Sequence, residues 1–192
     1  MFSAKVNTSS RLSINRPNLP LLNIPDRIPY NPPIRSPSIT PKYGVPSIIL
    51  PGLYLSGIEC VNEKILDEYN IKYVISVMNN PPQLSEKYKQ FCIPINDDFG
   101  AFIRPYFEKS HQIINEALCN GENILIHCYA GISRSATITI SYIMKNKTMT
   151  SKDAYSFVRN QRNIIEPNFI FSYSLENYGK ELQQENKIEY VI

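Results

Sequence analysis

Tryptophan is absent from this 192-residue sequence, and histidine is limited to His111 and His127. The four cysteines, Cys60, Cys92, Cys119 and Cys128, show none of the paired C-x-x-C spacing of a zinc site, so neither a structural metal nor any cofactor is expected. No apolar run approaches the roughly 20 residues needed to span a bilayer, and the N-terminus lacks a secretory-type apolar stretch. The C-terminal Glu189-Tyr190-Val191-Ile192 lacks the Cys of a prenylation box, so no membrane anchor is expected. These gaps point to a reducing, intracellular setting, cytoplasmic and open to the nucleus.

Charge is also scarce, and it is uneven. Residues 1–46 hold six Lys or Arg against Asp26 alone, giving +5, while the remainder carries 14 bases and 16 acids, giving −2. Nucleic acid is not an expected partner, because a phosphate backbone is held by many clustered cations. What the chain does have is apolar substance: 43% of its residues are hydrophobic and 19% charged, enough at this length to bury one sizeable core.

Nine of the fifteen prolines fall between Pro17 and Pro46. They remove backbone donors and break any period that a helix or strand would need. Residues 1–46 therefore read as a basic, disordered arm, in which Ser36-Pro37 and Thr40-Pro41 would suit a proline-directed kinase. The texture changes at Ile48, and a folded domain is expected over residues 47–185, with a short tail over 186–192. Leu53 to Ser56, Tyr73 to Met78, Phe91 to Ile95 and Ile124 to His127 read as strands, bounded by Pro51-Gly52, Asn79-Asn80-Pro81-Pro82 and Asn120-Gly121. Asn62 to Tyr69 and Ile103 to Leu118 read as helices, the second placing Ile103, Tyr106, Phe107, Ile114 and Leu118 on a core face. After residue 133 the pattern is helical: Arg134 to about Lys147, a segment capped by Thr150 or Ser151 and running to Arg162, and one starting near Asn168. The expected architecture is a three-layer α/β/α fold on a central mixed, mostly parallel sheet of about five strands, closed by a C-terminal helical cluster. Ligands in such sheets sit beyond the carboxyl ends of the strands, and His127 is the last residue of one.

The segment Ile126-His127-Cys128-Tyr129-Ala130-Gly131-Ile132-Ser133-Arg134-Ser135 joins that strand to a helix. A tight loop there can turn the amides of Tyr129, Ala130, Gly131, Ile132 and Ser133 inward as a nest, with the helix dipole adding positive potential. An oxyanion is the natural guest. Gly131 permits the turn and the close approach of phosphate, and Arg134 supplies a planar fork for two phosphate oxygens. The same amides, Arg134 and the helix N-terminus favour Cys128 as thiolate over thiol. In-line attack by that sulfur on phosphorus would form a phosphocysteine and split one hard displacement into two easier ones. No metal is needed where Arg134 and the amides neutralise the transferring group. Ser135 could hydrogen-bond the departing thiolate in the second step, and His127 is expected to order the loop through its ring nitrogens.

With those residues in view, His127-Cys128-x-x-Gly131-x-x-Arg134-Ser135 resembles the signature of cysteine-dependent phosphatases. Ala130-Gly131-x-Ser133-Arg134-Ser135 is similar to the dual-specificity branch in particular. The resemblance runs from about Ile49 to Leu182: Leu50-Pro51-Gly52-Leu53-Tyr54-Leu55 is similar to the family's opening strand, and Arg162 followed by Pro167-Asn168 to its late turn. Asn163 departs from it, standing where many relatives have Pro. The resemblance implies a monomeric protein phosphatase acting on phosphotyrosine and on phosphoserine and phosphothreonine, with phosphoproteins as its substrates and partners.

An alkoxide or phenolate leaves poorly unless protonated, so the chemistry needs an acid on a separate loop. Asp97 and Asp98, after the strand ending at Ile95, are the candidates. In the family the acid precedes by nine residues an aromatic that opens the next amphipathic helix; Asp97 to Tyr106 has that spacing, which favours Asp97. Asn168 is expected to cap the final helix, with a direct contact to the cradle as the alternative. Cys92 is read as core, with a disulfide to Cys128 as its alternative. The larger tyrosine-specific phosphatases are similar only in the cradle: they carry a W-P-D acid loop, and this chain has no Trp. Phosphoinositide and messenger-RNA-capping relatives usually place Lys or other polar residues at the variable cradle positions, here Tyr129 and Ile132. The cradle is also similar to that of the phosphoserine/threonine/tyrosine-interacting pseudophosphatase, which lacks the nucleophilic Cys. With Cys128 and Asp97 both present, catalysis is expected, and a phosphoprotein-binding module with little turnover is the alternative.

Overall fold

In a computed structural model that describes residues 44–189, five short strands form one sheet. They are β1 (Ser47–Leu50), β2 (Leu53–Ser56), β3 (Ile71–Ser76), β4 (Lys89–Cys92) and β5 (Asn123–His127), in the spatial order β1-β2-β5-β3-β4. β2, β5, β3 and β4 run parallel, and β1 alone pairs antiparallel, with β2. Apart from Gly44, Val45 and Pro46, the proline-rich arm and its two Ser/Thr-Pro sites lie outside the described residues.

Side chains alternate across this sheet with the period of two that a pleated strand dictates. Leu53, Leu55, Tyr73, Ile75, Ile124 and Ile126 enter the larger core, under α2 (Phe107–Cys119), α3 (Arg134–Asn146), α4 (Ser151–Gln161) and α5 (Phe169–Glu189). Val74 and Leu125 face the smaller cluster, with Leu66 of α1 (Glu63–Glu68). Both faces are covered, which is why β3 and β5 are near-continuous apolar runs. α3 lies deepest, with every residue from Ser135 to Met144 buried. Its Thr137, Thr139 and Ser141 hydroxyls donate to the carbonyls of Ser133, Ser135 and Ile138, so they stay satisfied without water. Each fully buried Ile of this helix contributes about 1.5–3 kcal/mol.

The three-layer mixed fold is the expected one, and the departures from the sequence reading have local causes. β1 was not foreseen: Pro51-Gly52 is the turn of a hairpin rather than the edge of an opening strand. β4 stops at Cys92 instead of Ile95 because Pro94 has no N–H to continue the ladder. The expected helix from Ile103 begins as a 3₁₀ turn over Arg104–Tyr106, with Pro105 in its first turn, and becomes α2 at Phe107. Thr150, not Ser151, caps α4, accepting from the Asp153 amide. α5 passes the boundary expected at residue 185 and reaches Glu189. In-register pairing sets Ser56, His127 and Ser76 side by side at the carboxyl ends of β2, β5 and β3, and the loop that follows His127 opens there.

Candidate active site

Cys128, 1% exposed, opens the loop between β5 and α3. Every carbonyl from Cys128 to Ser133 is engaged by a partner. The Ile58 amide donates to Tyr129 O at 2.9 Å, and the Glu166 amide to Ile132 O at 2.9 Å. Arg162 donates from Nη2 to Ala130 O at 3.3 Å and from Nε to Gly131 O at 2.9 Å. Ser133 O accepts from the Thr137 amide and hydroxyl, both at 2.8 Å, and Cys128 O lies 3.3 Å from His127 Nδ1. In a trans peptide the carbonyl and the next N–H point opposite ways. Carbonyls held outward along the loop therefore turn the amides of Tyr129 to Arg134 inward, and the Gly131 amide is seen doing so, donating to Cys128 Sγ at 3.2 Å. Ser133, at the N-cap of α3, does not cap it with its side chain, which leaves the helix's first N–H groups facing the same bowl.

Gly131 has φ +65°, and a Cβ there would stand 2.4 Å from Ser56 C and 2.5 Å from Gly57 N. The crowding that demands glycine is thus the backbone at the end of β2, where the sequence reading had placed phosphate. Arg162, 2% exposed, was read only as part of a late turn. A lone Arg after an amphipathic helix gives no sign that it will be buried under a loop. Burial pulls its guanidinium below the usual value, and Glu59 opposes that pull. Next to it, Asn163 leaves Oδ1 buried without a hydrogen bond, at a typical cost of about 1–3 kcal/mol.

His127 is fixed from β3. Gln90 Nε2 donates to Ser76 Oγ at 3.2 Å, so the Ser76 proton turns to His127 Nε2, 2.7 Å away. That leaves the ring proton on Nδ1, facing Cys128 O. Burial, with the charge of Arg134 adding to it, pushes His127 down to about 4 against the bond to Cys128 O. His111 on α2 is buried, with Nε2 2.9 Å from Ser141 Oγ. Burial, then Lys145, pushes it down to about 3. Both rings are neutral when folded and regain an ordinary value near 6.5 on unfolding. The unfolded chain therefore binds more protons below 6.5. The stability these rings contribute is complete above that pH and is lost as pH falls toward 4, at about 1.4 kcal/mol per pH unit for each. Urea unfolding at pH 7 and pH 5 checks this, and His111→Phe should show about half of the histidine-derived difference.

Cys128 Sγ accepts a second hydrogen bond, from Ser135 Oγ at 3.1 Å. Of the two aspartates, Asp97 meets the cradle. Its Oδ1 accepts from Ser133 Oγ and from Asn168 Nδ2, both at 2.8 Å, and its Oδ2 lies 3.5 Å from Arg134 Nε. Asp98 turns to the Gly100 amide of its own loop at 3.0 Å. Arg134 Nη1 donates to Ile95 O at 3.3 Å, and its buried Nε makes no hydrogen bond beyond the longer ion pair with Asp97. Asn168 joins both alternatives: Oδ1 accepts from the Phe171 amide at the start of α5 while Nδ2 holds Asp97. Cys92 fits neither of its readings. It is exposed on edge strand β4, opposite Ser76 and two strands from His127. That places its Cα about 10 Å from that of His127, beyond the roughly 7 Å a disulfide next door would tolerate.

Among the described residues no three His, Cys, Asp or Glu side chains group as metal ligands, and no helix is long and apolar enough to cross a membrane. All four cysteines are free thiols. Residues 53–181 match the family model of the dual specificity phosphatase catalytic domain. A "Probable dual specificity protein phosphatase" of Dictyostelium discoideum is 42% identical over 133 residues, covering 69% of this chain and 34% of that protein. The chain thus spans about a third of that curated relative's length. Among solved structures, DUSP15 is 30% identical with a TM-score of 0.68, covering 73% of this chain and 93% of that one. The human tyrosine phosphatase-like serine/threonine/tyrosine-interacting protein is 28% identical with a TM-score of 0.65, covering 77% and 98%.

Proposed function

Because the chain belongs to the dual specificity phosphatase family, we propose that it hydrolyses phosphotyrosine and phosphoserine or phosphothreonine in proteins through a phosphocysteine on Cys128. The observation that carries this is a sulfur at the floor of an amide-lined bowl, receiving hydrogen bonds from Gly131 N and Ser135 Oγ. Phosphate oxygens take the inward amides of Tyr129 to Ser133 and the guanidinium of Arg134. Sγ then attacks phosphorus in line, the P–O ester bond breaks, and Asp97 gives its proton to the leaving oxygen. In the second step water attacks the phosphocysteine, Asp97 takes back a proton, and the sulfur leaves as thiolate toward the Ser135 hydroxyl. Ser133 and Asn168 position Asp97, His127 fixes the loop, and Arg162 keeps its carbonyls turned away.

Residues 47–185 are the catalytic domain in this reading, with residues 1–46 as an arm and 186–192 as a tail. The protein works as a monomer in the cytoplasm, with access to the nucleus, since a reactive thiolate is kept functional by a reducing compartment. Nucleic acid and membrane are not among its partners. Sedimentation and microscopy of the tagged chain check these assignments.

The test is turnover of p-nitrophenyl phosphate and of phosphopeptides by the purified chain, with and without chelator. Chelator-resistant release of phosphate is expected. No turnover by a folded chain that still binds phosphopeptide would leave a binding module in its place. Asp97→Ala should slow turnover by about 100-fold, the usual scale of acid catalysis, with phosphate binding retained. Asp98→Ala should stay near wild type, and the acid assignment fails if the two variants exchange behaviours.

A further inference from the structure

Large hydrophobic side chains are not scattered evenly over the surface. Among the described residues seven stand out as exposed, and five of them, Phe99, Phe102, Tyr129, Phe169 and Tyr173, are between 55% and 77% exposed. All five sit on segments that meet at the cradle. Tyr129 follows Cys128. Phe99 and Phe102 follow Asp97, and Phe169 follows Asn168, while Asp97 and Asn168 are joined at 2.8 Å beside Ser133. Tyr173 lies one turn further along α5 on the side of Phe169.

Aromatic rings left in water beside a deep polar site are a usual anchor for a partner's apolar side chain. The charges near them narrow the choice of partner. Residues 96–103, 128–134 and 164–173 hold Asp97, Asp98 and Glu166 against one base, Arg134, whose side chain is only 14% exposed. An acidic substrate segment would meet like charge at the mouth, and these three described segments offer it no free cation.

We propose that these aromatics form a specificity collar: it takes an aromatic or branched aliphatic residue flanking the phosphoresidue and disfavours acidic flanks. This rests on the phosphatase reading above, since the occupant is a phosphoprotein segment whose phosphate lies in the Cys128 bowl.

The test uses the full chain and three phosphotyrosine peptides that differ only in having Phe, Gly or Asp on either side of the phosphoresidue. The expected order of kcat/KM is Phe over Gly over Asp, with about tenfold between the first two, as partial burial of one ring gives. The double variant Phe99→Ser/Phe169→Ser should bring the Phe-to-Gly ratio close to one, while Ile48→Ser, at another exposed apolar position, on β1, should leave it unchanged. Equal rates on all three peptides with wild type, or an unchanged ratio in the double variant, overturns the collar alone. A double variant that gains equally on every peptide shows the collar covered by a second copy or another part of the chain, which also overturns the proposal. Absence of turnover on any peptide and on p-nitrophenyl phosphate removes the phosphatase reading with it.

Discussion

Cys128→Ser should lower turnover of p-nitrophenyl phosphate and of phosphopeptides by at least about four orders of magnitude while phosphate binding survives. Loss of a covalent nucleophile removes up to about 10⁶ in kcat in enzymes where it has been isolated, with a residue left from binding and electrostatics alone. Here the two contributions are physically separate. The inward amides are set by carbonyl partners on Ile58, Arg162, Glu166 and Thr137, none of which touches the sulfur. A hydroxyl at this position keeps the bowl but is no nucleophile at neutral pH without an adjacent base, and the neighbours of Sγ, Gly131 N and Ser135 Oγ, are hydrogen-bond donors to it. The variant should therefore hold phosphopeptide without releasing phosphate, and acid-quenched wild type should carry phosphate on Cys128 during turnover. A Cys128→Ser chain retaining even a tenth of wild-type kcat would remove the phosphocysteine mechanism.

The parts of this site that follow from chain-local chemistry were legible in the sequence. A strand, Cys128, a glycine three residues on, Arg134 and a helix are consecutive, so the cradle needs no tertiary knowledge. The residues alone left Asp97 and Asp98 open, and the preference for Asp97 came from the resemblance, through the family's nine-residue offset to the aromatic at Tyr106. What escaped was contributed across the fold. Arg162 comes from the far end of α4, Ser76 and Gln90 from neighbouring strands, and Ile58 from the turn after β2; no local pattern marks them as supports of a loop elsewhere. The Ser133 side chain follows the same rule: only the packing of the loop after Ile95 shows that its hydroxyl is given to Asp97. Among the elements, β1 was missed because four residues on an edge carry too short an alternation to outweigh the Pro51-Gly52 turn signal beside them.

Gly131→Ala isolates the contribution of those tertiary supports, and it should damage both stability and activity. Alanine at φ +65° carries strain of order 1–3 kcal/mol. Its Cβ would also overlap the backbone of Ser56 and Gly57 at 2.4–2.5 Å, where no side-chain rotation can relieve it. Either β2 yields, disturbing its pairing with β5, or the loop moves toward the bowl. The second outcome drags the Gly131 amide off Cys128 Sγ and pulls Ala130 O and Gly131 O from Arg162. Displacements near 1 Å at reacting groups cost about 100-fold in rate, so kcat/KM of the folded fraction should fall by at least that much. A lowered urea midpoint should accompany the loss. The sulfur itself is untouched, so slow alkylation of Cys128 should still be competed by phosphate, only at higher concentration. A variant with wild-type stability and kcat/KM would show that the close packing of this loop on β2 is dispensable, and with it the account of why the amides face inward.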